Sequence, residues 1–305
     1  MKLFNLIVIV TGLVSALVLT SCETMDALTE LGTSVGVATG TINSNQAKSI
    51  NRSAAAVAKT FSDITPEQEY YIGRSVAATV LKTYKPLNKD EANRYLNQLG
   101  QSLAQFSDRP ETFGGYHFLV MESDEINAFS APGGFVMISR GLIRCCDSED
   151  ALAAVLAHEI GHVEKKHGLR AIKTGRLTSA LTTLGMEGAK SFGGQQLADL
   201  TTAFEGSITD VCSTMMNSGY ARNLEFEADQ AAVTIMRRTG YNPEALITML
   251  EQMQKNLVPG RHDFAATHPP PEMRIEKVRN AIGSQSAVKE PTERQKRFAE
   301  AVGKI

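Results

Sequence analysis

The run His158-Glu159-Ile160-Gly161-His162 sets two imidazoles four residues apart. On a helix that spacing puts both rings on one face, about one turn apart, so that they converge on one point as a divalent metal requires. Glu159 is turned from His158 by about 100° and reaches a water at the metal rather than the metal itself. That is the position of a general base for hydrolysis.

A third ligand has to come from elsewhere. The compact solution, a third histidine in HExxHxxGxxH, is excluded because Lys165 stands in its glycine position and Gly168 in its histidine position. The run Glu225-Phe226-Glu227-Ala228-Asp229 offers another. Glu225 and Asp229 share a helix face while Glu227 is rotated away by about 200°. Glu225 is therefore the candidate ligand, and Asp229 the carboxylate that orients a ligand histidine and raises its basicity. Ala228, Ala231 and Ala232 are small enough to let this helix approach the histidine helix closely. Two histidines and a carboxylate select zinc; iron takes the same set, though not usually from HExxH on a helix.

These residues need a scaffold. Ala151, Leu152, Ala154, Val155, Leu156, Ile160 and Val163 make the histidine helix apolar nearly all round, as for a helix through a core. Its start is capped by Asp147 or Ser148, and Gly168 closes it after about His167. Thr65-Pro66-Glu67-Gln68 opens an earlier helix to about Thr83, and a second spans Asn88 to Gln105. Tyr116 to Met121, Ile126 to Phe129 and Phe135 to Ser139 are short β-prone runs that predict a small meandering sheet. Later helices run from about Arg222 to Arg238, from Asn242-Pro243-Glu244, and from Glu272 to Ile282. The predicted class is α+β, mostly helical, with the small sheet beside the histidine helix. Phe135 to Ser139 reads as an edge strand, so Phe135, Val136 and Met137 are the candidate substrate-binding residues by strand addition. The Gly-containing segment from Lys173 to Ser218 is a candidate cover for the cleft.

Lys2 precedes a nearly unbroken apolar stretch from Leu3 to Leu19, the layout of a signal sequence, short for a membrane span. The following Leu19-Thr20-Ser21-Cys22 resembles the lipobox of bacterial lipoproteins and implies lipid on Cys22. An uncleaved anchor is the alternative, and both place the rest of the chain outside the cytoplasm. In a Gram-negative cell, Glu23 in place of an aspartate favours the periplasmic face of an outer membrane. The expected organisation is a signal peptide over 1–21, a lipidated N-terminus and tether over 22–58, a metal-binding domain over 59–283 and a charged tail over 284–305. Export permits a disulfide between Cys212 and either Cys145 or Cys146, or leaves them as buried thiols. A net charge of −2 gives no broad basic surface, which excludes nucleic acid as the expected partner.

One constellation is more specific than its parts: Asn127-Ala128-Phe129, Pro132-Gly133-Gly134, Ile138-Ser139-Arg140-Gly141-Leu142, His158 to His162, Arg222 with Glu225 to Asp229, and Thr267-His268-Pro269-Pro270 with Arg274-Ile275. In that order it resembles the gluzincin family of HtpX, the CAAX prenyl protease and the periplasmic proteases BepA and LoiP. The resemblance implies a zincin-type zinc endopeptidase with His158, His162 and Glu225 as ligands, Glu159 as base and Asp229 behind a ligand. It implies unfolded or misassembled envelope proteins as substrates. His268 precedes the proline run and is a candidate catalytic residue that would steady the oxyanion; the resemblance implies alternatively that it fills the open position of zinc at rest, and a plain loop histidine is the third reading. His117, His167 and His262 have no partner pattern and read as structural or surface residues. The competing function is a zinc-containing assembly or chaperone lipoprotein with little proteolysis.

Overall fold

The computed structural model describes residues 64–172, 204–256, 268–284, 288, 291–303 and 305. The chain divides into two units, Met1–Ile64 and Thr65–Ile305, and every element below belongs to the second. The expectations for the signal sequence, Cys22, the tether, His262 and residues 173–203 of the candidate cover lie outside the described residues.

Helix α1, Pro66–Thr83, begins as its sequence demands. Thr65 Oγ1 accepts from the Gln68 N–H at 3.1 Å and Gln68 Oε1 accepts from the Thr65 N–H at 3.0 Å, satisfying two N-terminal donors reciprocally. Helix α2, Asp90–Ala104, buries Leu96, Leu99 and Leu103 on one face. Strands β1 (His117–Met121), β2 (Ala128–Ala131) and β3 (Phe135–Ser139) form one sheet in the order β1-β3-β2.

That order corrects two expectations. The sheet is not a meander, because β3 runs parallel to β1 and antiparallel to β2. Nor is β3 an edge: Phe135, Val136 and Met137 pair with His117, Phe118 and Leu119 on one side and with Ala131, Ser130 and Phe129 on the other. With both sides of its backbone engaged, the strand cannot receive an added chain. The outer side of β1 is closed as well, since Asn93 Oδ1 accepts from the Val120 N–H at 2.9 Å and Asn97 Oδ1 from the Phe118 N–H at 3.0 Å. The remaining margin belongs to β2.

Helix α3, Arg140–Cys145, follows β3 with Ser139 as its cap. Helix α4, Glu149–Glu164, carries the histidine motif; Ser148 Oγ accepts from the Ala151 N–H at 3.2 Å. It is buried from Glu149 to Val163, the central helix its composition calls for. It ends earlier than expected, at a left-handed Lys166 (φ 54°), and Gly168 lies inside the short α5, His167–Arg170. A side chain at Gly168 would put its Cβ 2.9 Å from Pro132 Cγ, so the glycine serves a close approach and not a helix end.

Helix α6, Glu205–Ser213, leads through a π-helical turn to α7, Arg222–Thr239, which stops at left-handed Gly240. Helices α8 (Glu244–Asn256), α9 (Pro271–Ile282) and α10 (Thr292–Val302) complete the shell. The charged C-terminal stretch thus contains a helix that inserts Phe298 and Val302 into the core formed by α2, the sheet, α4, α7 and α8. Cys146 and Cys212 are buried thiols not bonded to each other. Among the described residues no helix is long and apolar enough to cross a membrane.

Candidate metal centre

Helices α4 and α7 touch at their smallest residues. A Cβ on Gly161 would lie 2.9 Å from the Ala228 carbonyl oxygen and 3.0 Å from Ala231 Cβ, so the third residue between the histidines has to be glycine for α7 to come this near. The approach brings Glu225 opposite the histidine pair. Nε2 of His158 and Nε2 of His162 are 3.1 Å apart, and each is 3.6 Å from one oxygen of Glu225. The segment ahead of α9 adds His268, whose Nε2 is 3.8 Å from Glu225 Oε1. One donor atom from each of the four residues lies within 4.8 Å of every other.

These separations fit one cation. Donors about 2.0–2.2 Å from a tetrahedral zinc stand about 3.3–3.6 Å from one another, and the spacings of 3.1, 3.6, 3.6 and 3.8 Å bracket that range. The chemistry fits too. Glu225 is fully buried, yet neither of its oxygens has a hydrogen-bond partner. An ionised carboxylate in that state costs several kcal/mol or more unless positive charge compensates it, and the Arg274 guanidinium, with Nη1 3.9 Å from Glu225 Oε2, is already paired with Asp229. Burial holds the His162 pKa well below its ordinary value, keeping the imidazole neutral with a lone pair to give. At His158 burial and Arg274 act downward, but Asp229 and Glu225 outweigh them and raise the pKa to about 9; a proton competes for the nitrogen that a cation would hold.

Behind the donors the structure closes a further layer. His158 Nδ1 is 3.0 Å from Asp229 Oδ1, as the shared face of Glu225 and Asp229 anticipates. Asp229 in turn pairs with Arg274, which is 1% exposed. Burial pushes the Glu159 carboxyl up, opposed by His158, and its Oε1, like Ser130 Oγ of β2, has no hydrogen-bond partner.

Three participants give little or no signal in the sequence. Arg274 carried no signal beyond its place in a motif. Tyr220 stacks on His162 with ring centroids 4.6 Å apart, and its buried hydroxyl has no hydrogen-bond partner; a lone tyrosine in a connecting segment gives no pattern to detect. His167 has no partner pattern in the sequence, and on an unbroken helix a residue five past His162 would fall off its face. The break at Lys166 removes that rule, and Nδ1 of His167 lies 2.8 Å from Nδ1 of His162. His117 instead stacks on Phe135, and no described contact links it to the centre.

Comparison with known proteins places the chain in a family. Residues 90–282 match peptidase family M48. The chain is 31% identical over 215 residues to the beta-barrel assembly-enhancing protease of Escherichia coli (strain K12), covering 70% of this chain and 42% of that protein. It is similar to the metalloprotease LoiP of the same organism, 26% over 273 residues, covering 88% of this chain and 94% of LoiP. It is also similar to the mitochondrial metalloendopeptidase OMA1 of Schizosaccharomyces pombe, 30% over 158 residues, covering 50% of this chain and 42% of OMA1. The chain thus spans less than half the length of the beta-barrel assembly-enhancing protease.

Proposed function

The chain belongs to peptidase family M48, a family of zinc-dependent metalloendopeptidases, and from that membership we propose that it is a lipid-anchored zinc endopeptidase cutting internal peptide bonds of unfolded or misassembled envelope proteins. The observation that carries this reading is the buried Glu225 carboxylate, without hydrogen-bond partners and facing Nε2 of both His158 and His162. In it His158, His162 and Glu225 hold the metal. Bound zinc supplies Lewis-acid polarisation and a water acidic near pH ~7. Glu159, through its unpartnered Oε1, takes the proton of the attacking water and delivers it to the departing amine. The Tyr220 hydroxyl and the His268 imidazole donate to the developing oxyanion. Extended substrate aligns on β2, the sheet margin whose Ser130 neighbours Glu159, with main-chain binding and little side-chain selectivity.

Lipid on Cys22 is supported by the lipobox-like run at the end of the apolar stretch, and the periplasmic face of an outer membrane by Glu23 after it. The envelope clients are supported by the name of the bacterial beta-barrel assembly-enhancing relative. A second reading, an assembly or chaperone lipoprotein with strongly inhibited proteolysis, is favoured by one observation: His268 belongs to the four-residue donor group and so can fill the position that substrate needs.

The test is casein cleavage by the full chain in detergent, beside Glu159→Gln, with zinc quantified in both. Cleavage by the parent alone, at about one zinc per chain, supports the peptidase. Zinc in both without cleavage by either favours the inhibited reading, and His268→Ala then restores activity. Absence of zinc from both overturns the proposal.

A further inference from the structure

The two histidines of the centre are anchored by different means. His158 turns Nδ1 directly to a carboxylate, Asp229. His162 turns Nδ1 to another histidine, His167, at 2.8 Å, and His167 turns Nε2 to Glu227 Oε2 at 3.1 Å. His167 is fully buried and sits on α5, the short helix that the left-handed Lys166 re-aims. Arg170, on the same short helix, holds Glu227 through Nη1 at 2.5 Å.

Only one placement of protons satisfies the chain and leaves His162 able to give a lone pair. Its Nε2 faces Glu225 and must be bare, so a neutral His162 carries its proton on Nδ1. Nδ1 of His167 must then accept, which puts the His167 proton on Nε2. That nitrogen meets a carboxylate, which can only accept. Were Glu227 absent, His167 could equally carry its proton on Nδ1 and drive that of His162 onto Nε2, blocking the donor. Arg170 holds the same carboxylate, which fixes it as the acceptor at the end of the chain.

We infer that Glu227 and His167 are positioning residues for the metal: acting in series, they fix the tautomer and ring orientation of His162. This rests on the reading in which His162 holds zinc. It gives a role to the glutamate rotated away from Glu225 and Asp229, so that one turn of α7 serves the centre three times, once as ligand, once behind His158 and once, through α5, behind His162.

The experiment is chelator competition for zinc on the full chain, with the metal-free melting temperature measured alongside. His167→Phe fills the space but offers no acceptor, and is expected to weaken zinc 10- to 100-fold, the range for a lost partner behind a metal ligand. His167→Gln restores a carbonyl acceptor and should recover most of that loss. Glu227→Ala should weaken zinc while the metal-free melting temperature stays near that of the parent. If His167→Phe does not fold, Glu227→Ala and the imidazole 15N shifts of His162 decide the matter: the parent shows a proton held on Nδ1 and the variant a mixture of tautomers. Equal affinity in parent, His167→Phe and Glu227→Ala overturns the inference, as does equal loss in the Phe and Gln variants. A parent that binds no zinc removes the underlying reading instead, and is seen before any variant is made.

Discussion

Arg274 grips both oxygens of Asp229, Nη2 to Oδ1 at 2.6 Å and Nε to Oδ2 at 3.0 Å, and the same Oδ1 lies 3.0 Å from Nδ1 of His158. The pair is 1% and 2% exposed and joins α9 to α7 directly behind the metal-facing ring. Here the guanidinium offsets a cluster that also contains buried Glu225 and Glu159, and Asp229 is held down to about 2 against a burial that acts upward. Arg274→Ala leaves that carboxylate buried with only the His158 imidazole against it, and stability should fall by about 3–5 kcal/mol, read by urea unfolding. Loss under about 1 kcal/mol would mean that water reaches the pair.

Gly161 reverses an ordinary rule. Alanine in a helix interior is usually better than glycine by up to about 1 kcal/mol. At this position the added Cβ would press on the Ala228 backbone at 2.9–3.1 Å, and backbone cannot rotate away. Gly161→Ala should therefore destabilise by about 1–3 kcal/mol and, by pushing α7 outward, lower zinc occupancy as well. A gain in melting temperature would contradict the helix approach described above.

Tyr220 separates binding from chemistry. Its ring packs on His162, but its hydroxyl is buried without a hydrogen-bond partner. Phenylalanine keeps the packing and removes only the donor. In the proposed peptidase Tyr220→Phe should retain zinc and fold, leave KM near that of the parent, and reduce kcat by about 100-fold, the scale of one oxyanion donor. Steady-state kinetics on a fluorogenic peptide give both constants; a change confined to KM would place the hydroxyl against the substrate ground state.

The centre was legible in the sequence where a rule of helical geometry applies within one regular element. His158 with His162, and Glu225 with Asp229, are such pairs, and the structure brings all four together. Legibility ended where an element breaks or where no spacing rule marks a long-range contact. His167 was unreadable because Lys166 leaves the helix, and Arg274 because its partner is 45 positions away. Sheet order failed for a related reason. Strand periodicity says nothing about which neighbour a strand takes, and the parallel pairing of β1 with β3 is non-local.

The foot of the histidine helix is held by a buried carboxylate. Glu149, at the first turn of α4, is fully buried and accepts from the Tyr95 hydroxyl and the Tyr241 hydroxyl, each at 2.8 Å, and from Arg297 of α10. Burial first, and then the Glu149 carboxylate, push both phenols above their ordinary value of 10.0. A raised pKa means that the folded protein keeps protons that the unfolded chain gives up. The contribution is therefore complete below about pH 10, and is lost as pH climbs from there toward the folded values. The melting temperature should be flat on this account up to pH 10 and decline above it. The Tyr95→Phe, Tyr241→Phe double variant should melt lower at neutral pH, having lost two donors to a buried carboxylate, yet decline less steeply above pH 10. Part of the slope remains in the variant, since burial also raises Tyr116, to about 12, and Tyr220. Parallel curves for parent and variant would show that the two phenols do not titrate with unfolding, and that the hold of α2, α7 and α10 on the histidine helix lies in Arg297 and the apolar contacts of Phe298 and Val302.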